Sequence, residues 1–267
     1  MSEERLSNLI EFRHKLQQFY AKHSKYVQMV LRFAAALITI LGVNAEIPFH
    51  GIVSSVPVSI LVAAVCAFVP WGVSAFLCGA VVLVNLYALS PLAMIVFAVF
   101  MAVVLCCYYI FTPGDSMILL LVPVLFFLRL PCALPVVIGL MFTGFSVIPL
   151  CFGTIAYYFV VWVATNSTLL SSASMLTVDQ QFTYLVMGVL CSPQVIGCLI
   201  AFGVSALVVF TIRKLAVRYN WEAAVIAGTL AGLILQTVLA AVLDYRISFA
   251  QTIIGVAVGA AVGPLTS

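Results

Sequence analysis

Between Glu46 and Asp179 the chain carries only two further charged side chains, Asp115 and Arg129. Arg129 stands in the run FFLRLPCALP, with Phe126, Phe127, Leu128 and Leu130 around it and Pro131 and Pro135 behind it. A guanidinium in such company offers one chemistry, charge-assisted and two-pronged hydrogen bonding to an anion or to orphaned carbonyls. An arginine at the centre of a lone membrane helix costs about 2.5–3.5 kcal/mol on insertion scales. It should therefore face protein, a polar cavity or the headgroup region. The proline at 131 predicts that helix ends at Leu130, where a cation suits the negative helix end. Glu46 and His50 form a titratable pair around Pro48, and Asp115 closes the polar turn TPGDS. Arg129, Asp115, Glu46 and His50 are the candidate substrate-binding residues. The plainer roles are a helix-end anchor for the arginine and solvated span ends for the carboxylates.

Catalytic constellations are missing from the sequence. There is no His-Glu-x-x-His, no Gly-x-Ser-x-Gly and no Gly-rich phosphate loop with its lysine. An intramembrane aspartyl protease needs Gly-x-Gly-Asp, and here Thr112 replaces the first glycine before Pro113–Gly114–Asp115. Asp179 and Asp244, the possible second aspartates, fall in polar loops. No enzyme activity, cofactor, metal or nucleic-acid partner is expected. The stretch EAAVIAG, Glu222 to Gly228, resembles the Glu-Ala-Ala-x-x-x-Gly loop through which permeases of ATP-driven importers contact their ATPase. The family's later Ile-x-Leu-Pro portion is absent and the stretch runs straight into an apolar segment, so the match assigns nothing.

The elements that must position these residues are set by composition. Apolar residues make up 65% and charged residues 7% of the 267, with a mean hydropathy of +1.28. A soluble domain carries about 25% charged residues, and no globular surface could hide so much apolar area. Lipid is the solvent this chain suits. Backbone polar groups in hydrocarbon need internal partners, which leaves helices or closed barrels. Segments such as PLAMIVFAVFMAVVLCCYYIF (91–111) are apolar on every face and lack the alternation of barrel strands. The fold class expected is all-α, a polytopic transmembrane helix bundle. Of the eight cysteines, Cys66, Cys78, Cys106, Cys107 and Cys198 fall inside spans, and all are expected to serve as small packing residues.

Spans are predicted at 27–44, 52–69, 71–89 and 91–111. Prolines 123, 131, 135 and 149 then cut 117–164 into three short pieces. A short apolar piece at 182–191 precedes spans at 194–212, 223–243 and 247–263. Three spans in 117–164 give a total of about ten, and a re-entrant pair there gives about eight. Basic residues gather before the first span and at Arg213, Lys214 and Arg218, which puts both regions and both termini on the cytoplasmic side of an inner or plasma membrane. Either count satisfies that parity.

Two further features bear on partners. Residues 1–26 are expected to be a cytoplasmic amphipathic helix rather than a cleavable signal, ahead of a single transmembrane domain at 27–267. Leu9, Phe12, Leu16 and Phe19 repeat at helical spacing, with Arg13, Lys15, Lys22 and Lys25 available to anionic lipid. Residues 2–25 could also dock a cytoplasmic partner. In GVAVGAAVG, Gly255, Gly259 and Gly263 lie four apart, and Gly228 and Gly232 repeat the spacing one span earlier. Such faces let helices approach closely, within one chain or between copies in a homo-oligomer. Asn85, Gln236 and Gln251 within spans are expected to make interhelical hydrogen bonds. The function expected is a transporter or permease subunit for a small solute, with an anion the class that Arg129 would suit. The alternatives are a non-transporting scaffold or assembly protein, and an oligomeric channel.

Overall fold

A computed structural model of the chain describes residues 2–111, 114–171, 177–215 and 220–243. Among them all regular structure is helical. Helix α1 (Ser2–Glu46) leaves helical angles at one residue, His23 (φ −120°, ψ 23°). Then follow α2 (Val56–Phe68), α3 (Trp71–Leu89), α4 (Pro91–Phe111), α5 (Ser116–Phe127), α6 (Leu134–Met141) and α7 (Val147–Thr165). The chain continues through α8 (Ser167–Ser171), α9 (Val178–Leu190), α10 (Pro193–Arg213) and α11 (Asn220–Leu243). Prolines start α4 and α10, where a missing N–H costs nothing. Ser192 caps α10 by accepting from the Val195 N–H at 3.3 Å.

Six stretches among the described residues are long and apolar enough to cross a membrane. They are His23–Glu46, Trp71–Leu89, Pro91–Tyr108, Gly144–Thr165, Val178–Arg213 and Ala223–Leu243. Three apolar helices are shorter: Val56–Phe68, Ser116–Phe127 and Pro131–Met141. Six is fewer than the expected ten for identifiable reasons. The predicted span 52–69 yields only the 13 residues of α2, too short to be among the six, while the apolar piece at 182–191 runs into α10 across a bend at Cys191–Ser192 and adds no stretch. The segment 117–164 yields two short helices and one long one, and the predicted span 247–263, with Gly255, Gly259 and Gly263, lies outside the described residues.

Helix α5 sits at the centre. Its Ile118, Val122 and Phe126 enter one core cluster with α6, α7 and α10. Its Leu120 and Val124 enter another with α1, α2 and α3. A helix buried on all sides needs no polar face, and α5 has none. An aromatic wedge joins it to α7, with Tyr157 stacked on Phe126 at 4.4 Å and edge-on to Phe127 at 5.3 Å.

The α6–α10–α11 layer is held by one wedged side chain. A Cβ built on Gly139 of α6 would come 2.6 Å from the Val209 Cβ, and one built on Gly228 of α11 would come 2.0 Å from its Cγ2. Val209 of α10 is fully buried between the two and cannot give way. We expect Gly228→Leu to destabilise the bundle by about 1–3 kcal/mol through overpacking. Gly51→Ala, where nothing lies within 4 Å, is expected to be silent. Thermal unfolding in detergent reads the difference, and equal midpoints would mean that α10 and α11 do not pack this way.

Candidate functional site: the α5–α6 hairpin and its chamber

Two hydrogen bonds close the base of a helical hairpin. The hydroxyls of Thr143 (3.1 Å) and Ser146 both donate to Oδ2 of Asp115. Asp115 precedes α5, and Thr143 follows α6. The hairpin therefore starts and finishes on one face of the bundle. Thr143 and Ser146 also cap the helix that leads into α7, where a carboxylate is favoured by the helix dipole. Beside them, Arg213 donates to the carbonyl of Leu140, one of the orphaned acceptors at the end of α6. Its guanidinium also lies over Trp221 at 5.5 Å.

At the far end, α5 stops at Phe127, three residues before the position that Pro131 alone predicts. The reason is a local cap. The Leu130 N–H donates to the Leu125 carbonyl (2.8 Å) and the Arg129 N–H to the Phe126 carbonyl (2.9 Å). That pattern requires the residue between to be left-handed, the place usually taken by glycine. Here it is Arg129, φ 60°, the one non-glycine residue with positive φ among those described. An L-residue pays about 1–2 kcal/mol for that conformation. Pro131 then opens a single 3-10 turn, Pro131–Ala133, before α6.

The Arg129 side chain is exposed at the hairpin tip. Glu46, also exposed, ends α1 one turn after Gly42, where the Phe127 ring packs. Phe127 in turn meets the Tyr157 ring of α7 edge-on at 5.3 Å. Arg129, Glu46 and Tyr157 share one end of the bundle. Asp115 does not join them, because the 12 residues of α5 lie between it and the tip, a rise of about 18 Å.

His50 takes a different role at the same end. Its Nδ1 accepts from the Val53 N–H at 3.3 Å, and its own backbone N–H donates to Oδ1 of Asn85 at 3.2 Å. Asn85 is fully buried and uses all its hydrogen-bonding capacity. It accepts also from Ser54 (3.0 Å) and donates to Oδ1 of Asn44 (3.2 Å) and to the Val81 carbonyl (3.1 Å). Asn44 in turn donates to Ser59 at 3.0 Å. The network ties α1, α2, α3 and the 47–55 connection together. Gln236 of α11 accepts from Cys132 in the hairpin's 3-10 turn at 3.3 Å. Gly232 of α11 packs on Ser205 of α10, a Cβ there coming 3.1 Å from Oγ.

Beneath the tip lies a cavity of about 80 Å³ walled by α1, α3, α4, α5 and α7. Its α5 side runs from Leu119 through Pro123 to Phe127, and Ala156 and Tyr157 contribute from α7. Among the lining side chains only Thr39, Cys78 and Tyr157 carry a hydroxyl or thiol, and the Thr39 hydroxyl is spent on the Ala35 carbonyl at 2.9 Å. The cavity below the tip is therefore apolar, and Arg129 is not among the residues that line it. Tyr157, Asn44, Ser54 and Ser59 were not singled out from sequence. Asn44 carried a usable signal, an amide in the last turn of a span.

No protein-family model, curated protein or solved structure matches this chain.

Proposed function

We propose that the chain is a multi-pass transporter or permease subunit in which α5 and α6 form a re-entrant hairpin, with Arg129 at its tip receiving an anionic group of a small solute. The observation that carries this reading is the hairpin itself. Both its ends lie on one face, joined through Asp115, and its 12-residue outward helix rises about 18 Å against a hydrocarbon thickness of about 30 Å. Non-helical backbone and a charge at such depth require protein or water around them. An exposed Arg129 accordingly faces an aqueous vestibule open to the opposite side. Helices broken near the midplane are the usual way transporters build a solute site.

The orientation follows from the basic end. Arg32 reaches the Val69 carbonyl at 3.0 Å and lies over Trp71 at 5.5 Å. A Cβ at the neighbouring Gly72 would touch Ser116, the start of α5, at 3.5 Å. Arg32, Asp115, Arg213 and Lys214 thus mark one face, which the positive-inside rule makes cytoplasmic in an inner or plasma membrane. Counting the 13-residue α2 as a short crossing, the hairpin as re-entrant and the sequence-predicted span 247–263 as a crossing, the chain makes about eight crossings with both termini inside.

Labelling tests this without knowing the solute. In a variant free of native cysteines, Leu128→Cys at the exposed tip is expected to react with an impermeant thiol reagent from either side of the membrane. Lys214→Cys is expected to react from the cytoplasmic side alone. A tip that reacts from one side only would leave the scaffold as the better reading, and Lys214→Cys reacting from outside would invert the topology.

A further inference from the structure

Helix α4 is the loosest wall of the apolar cavity. It packs mainly on α3 and α9 and meets α7 only lightly. The seam between α4 and α7 is bridged by rings: Phe97 lies against Phe159 at 5.1 Å, and Phe100 meets Phe152 edge-on at 6.0 Å. Phe100 and Phe152 line the cavity, yet both are only half-buried. Beside Phe100, Val99 and Val103 of the same helix are exposed on the surface that a bilayer covers. The cavity also continues along the seam as a narrow crevice lined by Val104, Tyr108, Leu119, Ile148, Pro149 and Phe152, and Val104, Leu119 and Phe152 belong to both. Tyr108 marks the lower end, because a Cβ on Gly72 would lie 3.6 Å from its hydroxyl and 3.5 Å from Ser116 at the start of α5. Along α4 the rise from Phe97 to Tyr108 is about 16 Å. One leaflet of a bilayer has a hydrocarbon depth of about 15 Å, half of the ~30 Å core.

We infer that the cavity is a lipid site, taking the end of one acyl tail of a phospholipid of the cytoplasmic leaflet through the α4–α7 seam. The headgroup stays at the level of Tyr108, the tail follows the crevice, and its last carbons pass the Phe100–Phe152 pair into the cavity. Chemistry selects hydrocarbon. The lining of an apolar void forfeits its dispersion contacts, and water does not restore them because such cavities stay dry. A methylene chain does restore them, and the bilayer supplies one along the whole seam. Volume selects the end of a tail. A dry cavity of about 150 Å³ takes the six carbons of benzene, so one of about 80 Å³ takes about three carbons. The wall can adapt to them, since the Met101 side chain lies across Gly79 inside the cavity and a flexible thioether repacks readily. The site involves neither Arg129 nor Asp115, so it stands whether or not the chain is a transporter.

Photolabelling of the full chain in phosphatidylcholine vesicles tests the site, with a probe phosphatidylcholine whose acyl tail ends in a diazirine. Adducts are mapped by mass spectrometry. Val99 and Val103 face the bilayer and are the internal control, labelled in every case. Val82 and Phe97 are only 5% and 2% exposed and line the cavity, so a carbene reaches them from a tail lodged inside it. Adducts at Val82 and Phe97 are the expected result. Ala156→Leu, which fills the cavity from α7, should abolish both and leave the control yield unchanged. Val82→Phe fills it from α3 and should abolish the Phe97 adduct, which keeps the test open where the first variant does not fold. Adducts confined to Val99 and Val103 overturn the site, and so do adducts at Phe97 that survive either folded variant. A diazirine beside the glycerol ester should label Tyr108 and Ile148 instead. Labelling of Phe97 by that second probe overturns the cytoplasmic leaflet as the source of the tail.

Discussion

Arg129→Gly is expected to yield a protein that is more stable and inactive. Stability should rise by about 1 kcal/mol, because glycine accepts the left-handed position that closes the α5 cap without the penalty a Cβ brings. The cap's two hydrogen bonds, Leu130 to Leu125 and Arg129 to Phe126, are made by backbone alone and persist in the variant. Uptake into proteoliposomes should fall about a hundredfold, the loss of one charge-assisted contact worth about 1.5–3 kcal/mol. Arg129→Gln separates the two effects, since it keeps the strained backbone and removes the charge. It should match glycine in lost uptake and gain nothing in stability. An Arg129→Gly protein that transports normally would reduce the arginine to a solvated helix end, and one that unfolds more readily would mean that the guanidinium holds the tip together.

What the sequence disclosed here divides along a physical line. Composition and periodicity were enough for the all-helical class and the membrane, because hydrocarbon leaves backbone few solutions. Proline positions were enough to break 117–164, and FFLRLPCALP was rightly a place where helix stops. Where it stops was another matter. Proline excludes helix at its own position and disfavours it just before, but the left-handed Arg129 ends α5 three residues earlier. No propensity scale places an arginine there. The pairing of Asp115 with Thr143 and Ser146 was equally hidden, since two hydroxyls some 28 and 31 residues away become visible only once the hairpin is known to turn back. The span count stayed between ten and eight for the same reason: a window of apolar residues reports length and not direction. Asp115 and Arg129 are both candidate binding residues by type, and the helix between them, α5, keeps them apart. Of the four candidate binding residues, Glu46 and Arg129 fall at one end of the bundle, where Phe127 packs on Gly42, and His50 is spent on the loop that follows Glu46.

Asn85→Leu is expected to cause the larger structural loss, about 2–4 kcal/mol. Asn85 is fully buried in α3, and leucine there leaves the His50 N–H, the Ser54 hydroxyl and Oδ1 of Asn44 without their partner. Each orphaned buried group costs about 1–3 kcal/mol in general. Single interhelical bonds in membranes average nearer ~0.6 kcal/mol, with a maximum of about 1.7, because the unfolded chain in lipid also finds partners. Three such groups bring the sum to the range given. Apportioning it needs a second variant. Asn44→Leu removes the other end of the amide pair, and with both changed the polar contact between α1 and α3 is gone on both sides, so the double variant should be less destabilised than the sum of the two by about 1 kcal/mol. Unfolding of the lipid-reconstituted protein by added detergent measures all three. Strict additivity would mean the two amides do not bond. The network also fixes the connection that leaves Glu46, so Asn85→Leu should loosen the placement of that carboxylate.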